Sequence, residues 1–377
     1  MTRIIAAFDS FKGSLTSREA GEAFRRGFMA ERPDAEVEVL AIADGGEGMA
    51  EAICEGVGGV MVSKVVSDPL GRKIEARYAL INGGATAVIA MSSASGLTLL
   101  KPEERNPLMA STFGTGELIV DAIERGCREI IMGLGGSATN DCGVGMLRAL
   151  GYRFYDAAGE ELCDTISILE RVESISTVER HPLLMGVKFT AAVDVDNPLY
   201  GAQGAAHIFA PQKGASPEMV ERLDKALRHY AEVVDADAAD AAEVAGTGAA
   251  GGMGYALHTM LGARMRPGID IVLALLDFER RAQGASLVVT GEGSIDAQTL
   301  HGKAPAGVLA AAQRLGIPVV ALGGRVECEG ALLAGGFHAV RAITPHDQPT
   351  DVAMQRATAM ANMERAAREL ARQIISQ

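Results

Sequence analysis

The chain has no tryptophan, and aromatic residues make up only 4 % of its 377 positions. A core built on large rings, as in many β-sandwiches, is a poor expectation. Cys54, Cys127, Cys142, Cys163 and Cys328 are scattered, with none in CxxC spacing. An odd, dispersed set reads as reduced thiols in a cytoplasmic protein. No apolar run approaches the roughly 18 residues of a membrane span. Asp9 and Lys12 come too early for a secretory leader, so a soluble protein with no membrane partner is expected. Basic residues are the minority, 35 against 48 acidic, for a net charge of −13. That balance argues against a nucleic-acid surface, which needs a basic stripe. It leaves room for a phosphorylated ligand, which local cations and backbone dipoles can hold. Also missing are GxxxxGK[ST], HExxH and any Cys/His set with zinc spacing.

Glycine, at 45 residues, and hydrophobic residues, at 48 %, are abundant. This length favours two domains, and the glycine content suits an α/β protein with many strand-to-helix turns. RIIAAFDS reads as a strand. Residues 17 to 31 then carry apolar positions at helical spacing behind Thr16 or Ser17 as the cap. A strand at 37 to 43 and a helix after DGGEG complete a βαβα opening, which implies a parallel sheet. Residues 60 to 92 hold three β-rich runs split by DPLG and NGG, an antiparallel meander. Further on, helix, strand and glycine loop alternate. Residues 217 to 244 read as an exposed helical stretch, GTGAAGGMGYALHTML as a glycine turn into a helix, and 350 to 373 as one long terminal helix. The two ends resemble each other in style. The expected fold is α/β with two domains: a discontinuous Rossmann-like parallel-sheet domain from 1–62 and 282–377, and an inserted mixed α/β domain from 63–281.

Several apolar runs end in polar residues, where ligands of open parallel sheets bind. The clusters are Asp9, Ser10 and Lys12; Asp44 and Glu47; Ser137, Asn140 and Asp141; Asp194, Asp196 and Asn197; and Glu292, Asp296 and Lys303. Such residues also cap helices and form turns, which explains one cluster better than five. Cations, hydroxyls and carboxylates together suit phosphoryl transfer, which needs a phosphate cradle, a carboxylate for Mg²⁺ and a group to orient the attacking hydroxyl. In GLGGSATNDCGVG, Gly135, Gly136, Ser137, Thr139 and Asn140 are candidates for phosphate oxygens, and Asp141 for the metal or the acceptor. The same loop matches the dinucleotide pattern GxGxxA, with Asp156 about where a ribose-binding acid would stand. A nicotinamide dehydrogenase is therefore an alternative, weakened by Asn140 and Asp141 where a helix should pack.

Taken together, DSFKGSLTS, ADGGEG, SDPLGR, STFGTGELI, GLGGSATNDCGVGMLRALG, DVDNPLYGAQGAAHIFAPQKGA, GAAGGMGYAL and TGEGSIDAQTLHGKAPAGV resemble, in order, the bacterial glycerate kinase family. The resemblance covers about residues 3 to 325. It implies ATP-dependent phosphorylation of D-glycerate with Mg²⁺, at the 2-hydroxyl, on two α/β domains with the site in the cleft between them. A monomer or a homodimer is compatible. The chain departs from the family pattern at Ala90, where an acid is usual, at Cys142, where glycine is usual, and at Phe113, where tyrosine is common. Ala90 leaves a second alternative open, a sugar-acid sensor without turnover. Cys142 is tolerable if its φ is negative.

Glycerate is a small anion, and arginine suits its carboxylate. Arg72 and Arg105 are the candidates, with a surface ion pair as the other reading of each. Ser10 and Asp44 join them on the substrate side. Asp194, Lys12 and Asp296 are the catalytic candidates, with Asp194 leading as base or hydroxyl-orienting group. Asp296 shares the metal assignment with Asp141, and Lys213 is assigned to nucleotide phosphates. Met146, Leu147 and Leu150 read as core. The seven histidines form no spaced set, and His301, beside the GK loop, reads as structural.

Overall fold

Arg3–Phe8 is apolar almost throughout, and all but its first residue are buried. A strand hidden on both faces belongs inside a parallel sheet covered by helices. The computed structural model describes residues 2–46, 48–234, 239–300 and 302–374, with the backbone alone at 239, 240, 298 and 374. Glu47 and His301 lie outside the described residues. The strands in chain order are β1 (Arg3–Phe8), β2 (Glu36–Ala41), β3 (Val60–Ser67), β4 (Lys73–Ile81), β5 (Thr86–Ala90), β6 (Glu129–Gly133), β7 (Arg153–Tyr155), β8 (Glu161–Leu162), β9 (Ser174–Ser176), β10 (Lys188–Ala192), β11 (Arg264–Arg266), β12 (Leu287–Ile295), β13 (Val319–Val326) and β14 (Ala339–Ala342).

The chain divides into two compact units. One comprises Met1–Asp44, Glu55–Val57 and Ile269–Gln377, the other Gly45–Cys54 and Gly58–Gly268. The sequence placed the crossings at 62/63 and 281/282. The first falls before β3, which pairs along its whole length with β4, from Val60↔Leu80 to Ser67↔Lys73, and so goes with the inserted unit; the last falls at 268/269.

The first unit holds a sheet in the order β14-β13-β12-β1-β2, parallel throughout. From β2 this reads 2-1-3-4-5 in order of appearance, the doubly wound arrangement whose reversal lies between β1 and β12. Helix Ser17–Glu31 opens with a capping box: Glu19 N–H donates to Thr16 Oγ1 at 3.2 Å, and Thr16 N–H to Glu19 Oε2 at 2.9 Å. Such a cap is worth about 1 kcal/mol and fixes Thr16, not Ser17, as the start. Phe24 and Phe28 face the sheet, with Phe24 5.6 Å from the Phe8 ring. The expected terminal helix is two, Thr350–Ala353 and Arg356–Ile374. The longer one buries Met363, Ala367 and Ala371 in the same core.

The second unit holds a mixed sheet in the order β11-β10-β6-β5-β4-β3. Asp68 Oδ1 accepts the Leu70 and Arg72 amides at 2.8 Å each, which closes the DPLG turn and sets up the antiparallel β3–β4 pair. β5 pairs antiparallel with β4 but parallel with β6, so the meander and the parallel strands form one sheet. Met146, Leu147 and Leu150 are fully buried in its core. A small antiparallel sheet, β8-β7-β9, stands apart. Helix Pro217–Val234 is amphipathic rather than wholly exposed, burying Val220, Leu223, Leu227 and Tyr230.

Candidate functional site

In the first unit, polar residues gather where the sheet order reverses. β1 ends at Phe8, opposite Gly291 of β12. Asp9 follows and is 4 % exposed, with its Oδ1 accepting the Ser10 amide at 2.6 Å. Burial, then the Asp44 charge, pushes the Asp9 carboxyl up to about 7; Glu292 adds to the rise and Lys12 opposes it. Glu292 is raised as well, chiefly by burial, with Asp44 and Asp296 contributing. Thr299 Oγ1 donates to Glu292 Oε1 at 2.9 Å, and Lys303 Nζ stands 3.7 Å from Glu292 and 3.9 Å from Asp296. The unit thus brings Ser10, Lys12, Asp44 and Asp296 around buried Asp9 and partly buried Glu292. The sequence showed those acids at strand ends but gave them no role. Four carboxylates against two lysines leave a local excess of negative charge that favours a cation.

Among the described residues, no three His, Cys, Asp or Glu side chains are spaced as a closed metal cage. Mg²⁺ does not require one. It keeps several waters and uses one or two carboxylates beside substrate phosphates. The donor set here, oxygen only, with Asp9 and Glu292 held above their ordinary range, fits that habit.

The second unit builds a glycine loop after β6. A Cβ on Gly135 would lie 2.6 Å from Gly46 Cα, and one on Gly133 2.5 Å from Gly45 O. ADGGEG and GLGGSATN therefore meet backbone to backbone. Gly251, at φ +69°, lies so close that a Cβ would reach Thr139 O at 2.2 Å, and its own carbonyl accepts the Cys142 amide at 2.9 Å. Cys142 adopts φ +47°, contrary to the negative angle expected. The left-handed region that glycine would enter freely is entered here by a buried cysteine. Its thiol is pushed well above the ordinary value by burial.

Asp141 is fully buried. Its carboxylate accepts the Thr112 amide at 2.8 Å, the Thr112 hydroxyl at 2.7 Å, and the Gly143 and Gly145 amides at 3.1 and 3.2 Å. Burial raises its pKa against those bonds. A carboxylate enclosed by four donors clips the loop together. Thr112, its partner, carried no sequence signal. Lys213 is 2 % exposed, and its ammonium donates to Ser137 Oγ and Thr139 O, so it contacts the loop rather than an outside phosphate. Thr139 Oγ1 and both amide atoms of Asn140 are buried with no hydrogen-bond partner among the described residues. Gly136 is exposed beside them.

Asp194 is exposed just past β10. Its Oδ1 accepts the Gly268 amide at 2.8 Å, and its Oδ2 lies against Gly45. Arg72 takes the ion-pair reading, with Nε 2.5 Å from Asp68 Oδ2 and NH1 2.7 Å from Glu104. Arg105, one residue further on, keeps a buried Nε without a hydrogen-bond partner among the described residues. Ala90 ends β5 opposite Gly133, where the loop begins. Asp156 is consumed by the turn after β7, accepting the Ala158 and Glu160 amides at 3.0 Å and pairing with Arg171. The acid the dehydrogenase alternative required is therefore spent locally.

Comparison with known proteins points one way. The model of the glycerate kinase family matches residues 4–375. A glycerate kinase of Bacillus subtilis (strain 168) is 43 % identical over 374 residues, covering 99 % of this chain and 97 % of that one. A glycerate 2-kinase of Escherichia coli (strain K12) is 42 % identical over 371 residues, covering 98 % and 97 %. A crystal structure described as a glycerate kinase 2 from Salmonella typhimurium LT2 superposes with a TM-score of 0.89 at 42 % identity, covering 100 % and 98 %. On this full-length likeness the chain belongs to the glycerate kinase family and is an enzyme of that activity, a phosphotransferase acting on an alcohol group.

Proposed function

We propose that the enzyme transfers the γ-phosphoryl group of ATP to the 2-hydroxyl of D-glycerate, giving 2-phosphoglycerate. The observation that carries this reading is the acid-rich edge of the first unit, at the reversal of a doubly wound sheet. Asp9 at about 7 and Glu292 above its usual range mark a place where negative charge is crowded and a cation is welcome. The name of the E. coli relative supports the 2-position.

Each unit supplies part of the machinery. Asp296 and Asp44 would hold Mg²⁺, which when bound neutralises charge on the phosphates. Lys12, exposed after β1, faces the transferring phosphoryl group. Gly135, Gly136 and the Ser137–Asn140 segment cradle phosphate oxygens. Arg105 holds the glycerate carboxylate, with Ser10 beside the substrate. Asp194 orients the acceptor hydroxyl and takes its proton, because one carboxylate oxygen is fixed by Gly268 while the residue remains accessible. The enzyme acts in the cytoplasm, as a monomer or a homodimer. Phosphorus NMR of a reaction with ATP, Mg²⁺ and D-glycerate tests the reading. Signals of ADP and 2-phosphoglycerate are expected; 3-phosphoglycerate would overturn the position, and no ADP above background would overturn the donor.

A further inference from the structure

A lysine is rarely enclosed, because burial strips water from its charge. Lys213 ends the short 3₁₀ turn Pro211–Lys213 and is 2 % exposed, with its ammonium 2.9 Å from Ser137 Oγ and 2.6 Å from Thr139 O. Two of its three N–H donors are thus spent on the glycine loop. Ser137 is held from the other side as well. It bridges to Gly96; the Leu97 amide donates to Gly136 O at 2.9 Å, and the Ala138 amide to Ser95 O at 2.9 Å. At 8 % exposure, Ser137 reaches the surface beside exposed Gly136, whereas Lys213 does not.

A serine hydroxyl that accepts from an ammonium must aim its own hydrogen elsewhere. Protonated Lys213 offers no acceptor, so below a pH of about 7 the Ser137 O–H is turned away from it. We infer that Lys213 is a positioning residue for phosphoryl transfer, fixing the Ser137 hydroxyl so that it donates to a phosphate oxygen of the nucleotide. The inference rests on the reading that this loop holds the phosphates of ATP. Burial lowers the Lys213 pKa to about 7, and Asp141, clipped into the same loop, opposes that fall.

A double-variant cycle decides the matter. ATP and D-glycerate KM and kcat are measured for the wild type, Lys213→Met, Ser137→Ala and the pair, with thermal melts as folding controls. Each single variant is expected to raise the ATP KM about tenfold, the loss of one hydrogen bond to a charged group, with the glycerate KM within about twofold of wild type. The pair should be no worse than Ser137→Ala alone, because Lys213 acts through that hydroxyl. Should Lys213→Met fail to fold, Lys213→Gln, which keeps an N–H donor, takes its place in the cycle. Losses that multiply in the pair, an unchanged ATP KM in either single variant, or a shift confined to glycerate overturns the inference. A wild-type enzyme that phosphorylates glycerate without saturating in ATP overturns the underlying reading instead.

Discussion

Asp141 holds Thr112 twice through one oxygen: the amide and the hydroxyl of Thr112 both donate to Oδ2, at 2.8 and 2.7 Å. With the Gly143 and Gly145 amides, the carboxylate ties the glycine loop to the start of helix Phe113–Glu124. Asp141→Ala leaves these buried donors unpaired and is expected to destabilise the protein by about 3 kcal/mol or more in urea unfolding. Asp141→Asn keeps one acceptor and should cost less. The Mg²⁺ dependence of whatever activity survives should match wild type. A tenfold rise in the Mg²⁺ requirement would return Asp141 to the metal.

Asp9 makes stability depend on pH. Its pKa is raised from 3.8 to about 7 on folding, so between those values the folded state binds more protons than the unfolded chain. Stability therefore falls as pH rises from about 4 to 7, and the full penalty, on the order of 4 kcal/mol at most, applies above 7. Asp9→Asn retains an acceptor for the Ser10 amide and removes the charge. It should melt higher than wild type at pH 8 and alike at pH 4. Parallel melting curves across that range would refute the assignment.

Cys142 inverts a common order. Alanine ordinarily stabilises relative to glycine by restricting the unfolded chain. At φ +47° an alanine keeps the left-handed penalty of about 1–2 kcal/mol and loses the buried sulfur, whereas glycine sheds the penalty. Cys142→Gly should be the more stable variant by about 1 kcal/mol in denaturant titrations. In the native protein a thiol reagent should label Cys163 and Cys328, which are exposed, and spare Cys142.

The two arginines should separate in kinetics. Arg105→Ala is expected to raise the glycerate KM at least about tenfold, the loss of a charge-assisted contact. Arg72→Ala removes ion pairs to buried Asp68 and to Glu104, so the KM should stay within about twofold while stability falls by about 1–3 kcal/mol. The reverse pattern would exchange their roles.

What the sequence disclosed, and what it hid, follows from the range of the interactions involved. Thr16 and Glu19 announce a helix within four residues, so that start was legible. The doubly wound style showed in alternating apolar runs. The turn of β5 from antiparallel to parallel pairing did not show, because Ala90↔Gly133 depends on a partner more than forty residues away. Lys213 in PQKGA reads as a contact to nucleotide phosphates or as a turn lysine. Only the pairing with Ser137, 76 residues distant, reveals that Lys213 is enclosed. Cys142 was hidden for another reason: nothing local marks a left-handed residue that is not glycine. The glycines of both loops were conspicuous, but that they serve each other appears only in their mutual approach.

The pairing of Ile4 with Leu287 has a consequence for synthesis. The opening strand leaves the ribosome about 280 residues before its neighbour at the middle of the sheet exists, a very non-local closure. The inserted unit, nearly continuous in the chain, ends at Gly268, about 20 residues before Leu287. Translation thus sets an order of maturation. The inserted unit packs while the amino-terminal segment waits half-assembled, which makes that segment the natural client of a chaperone acting on nascent chains.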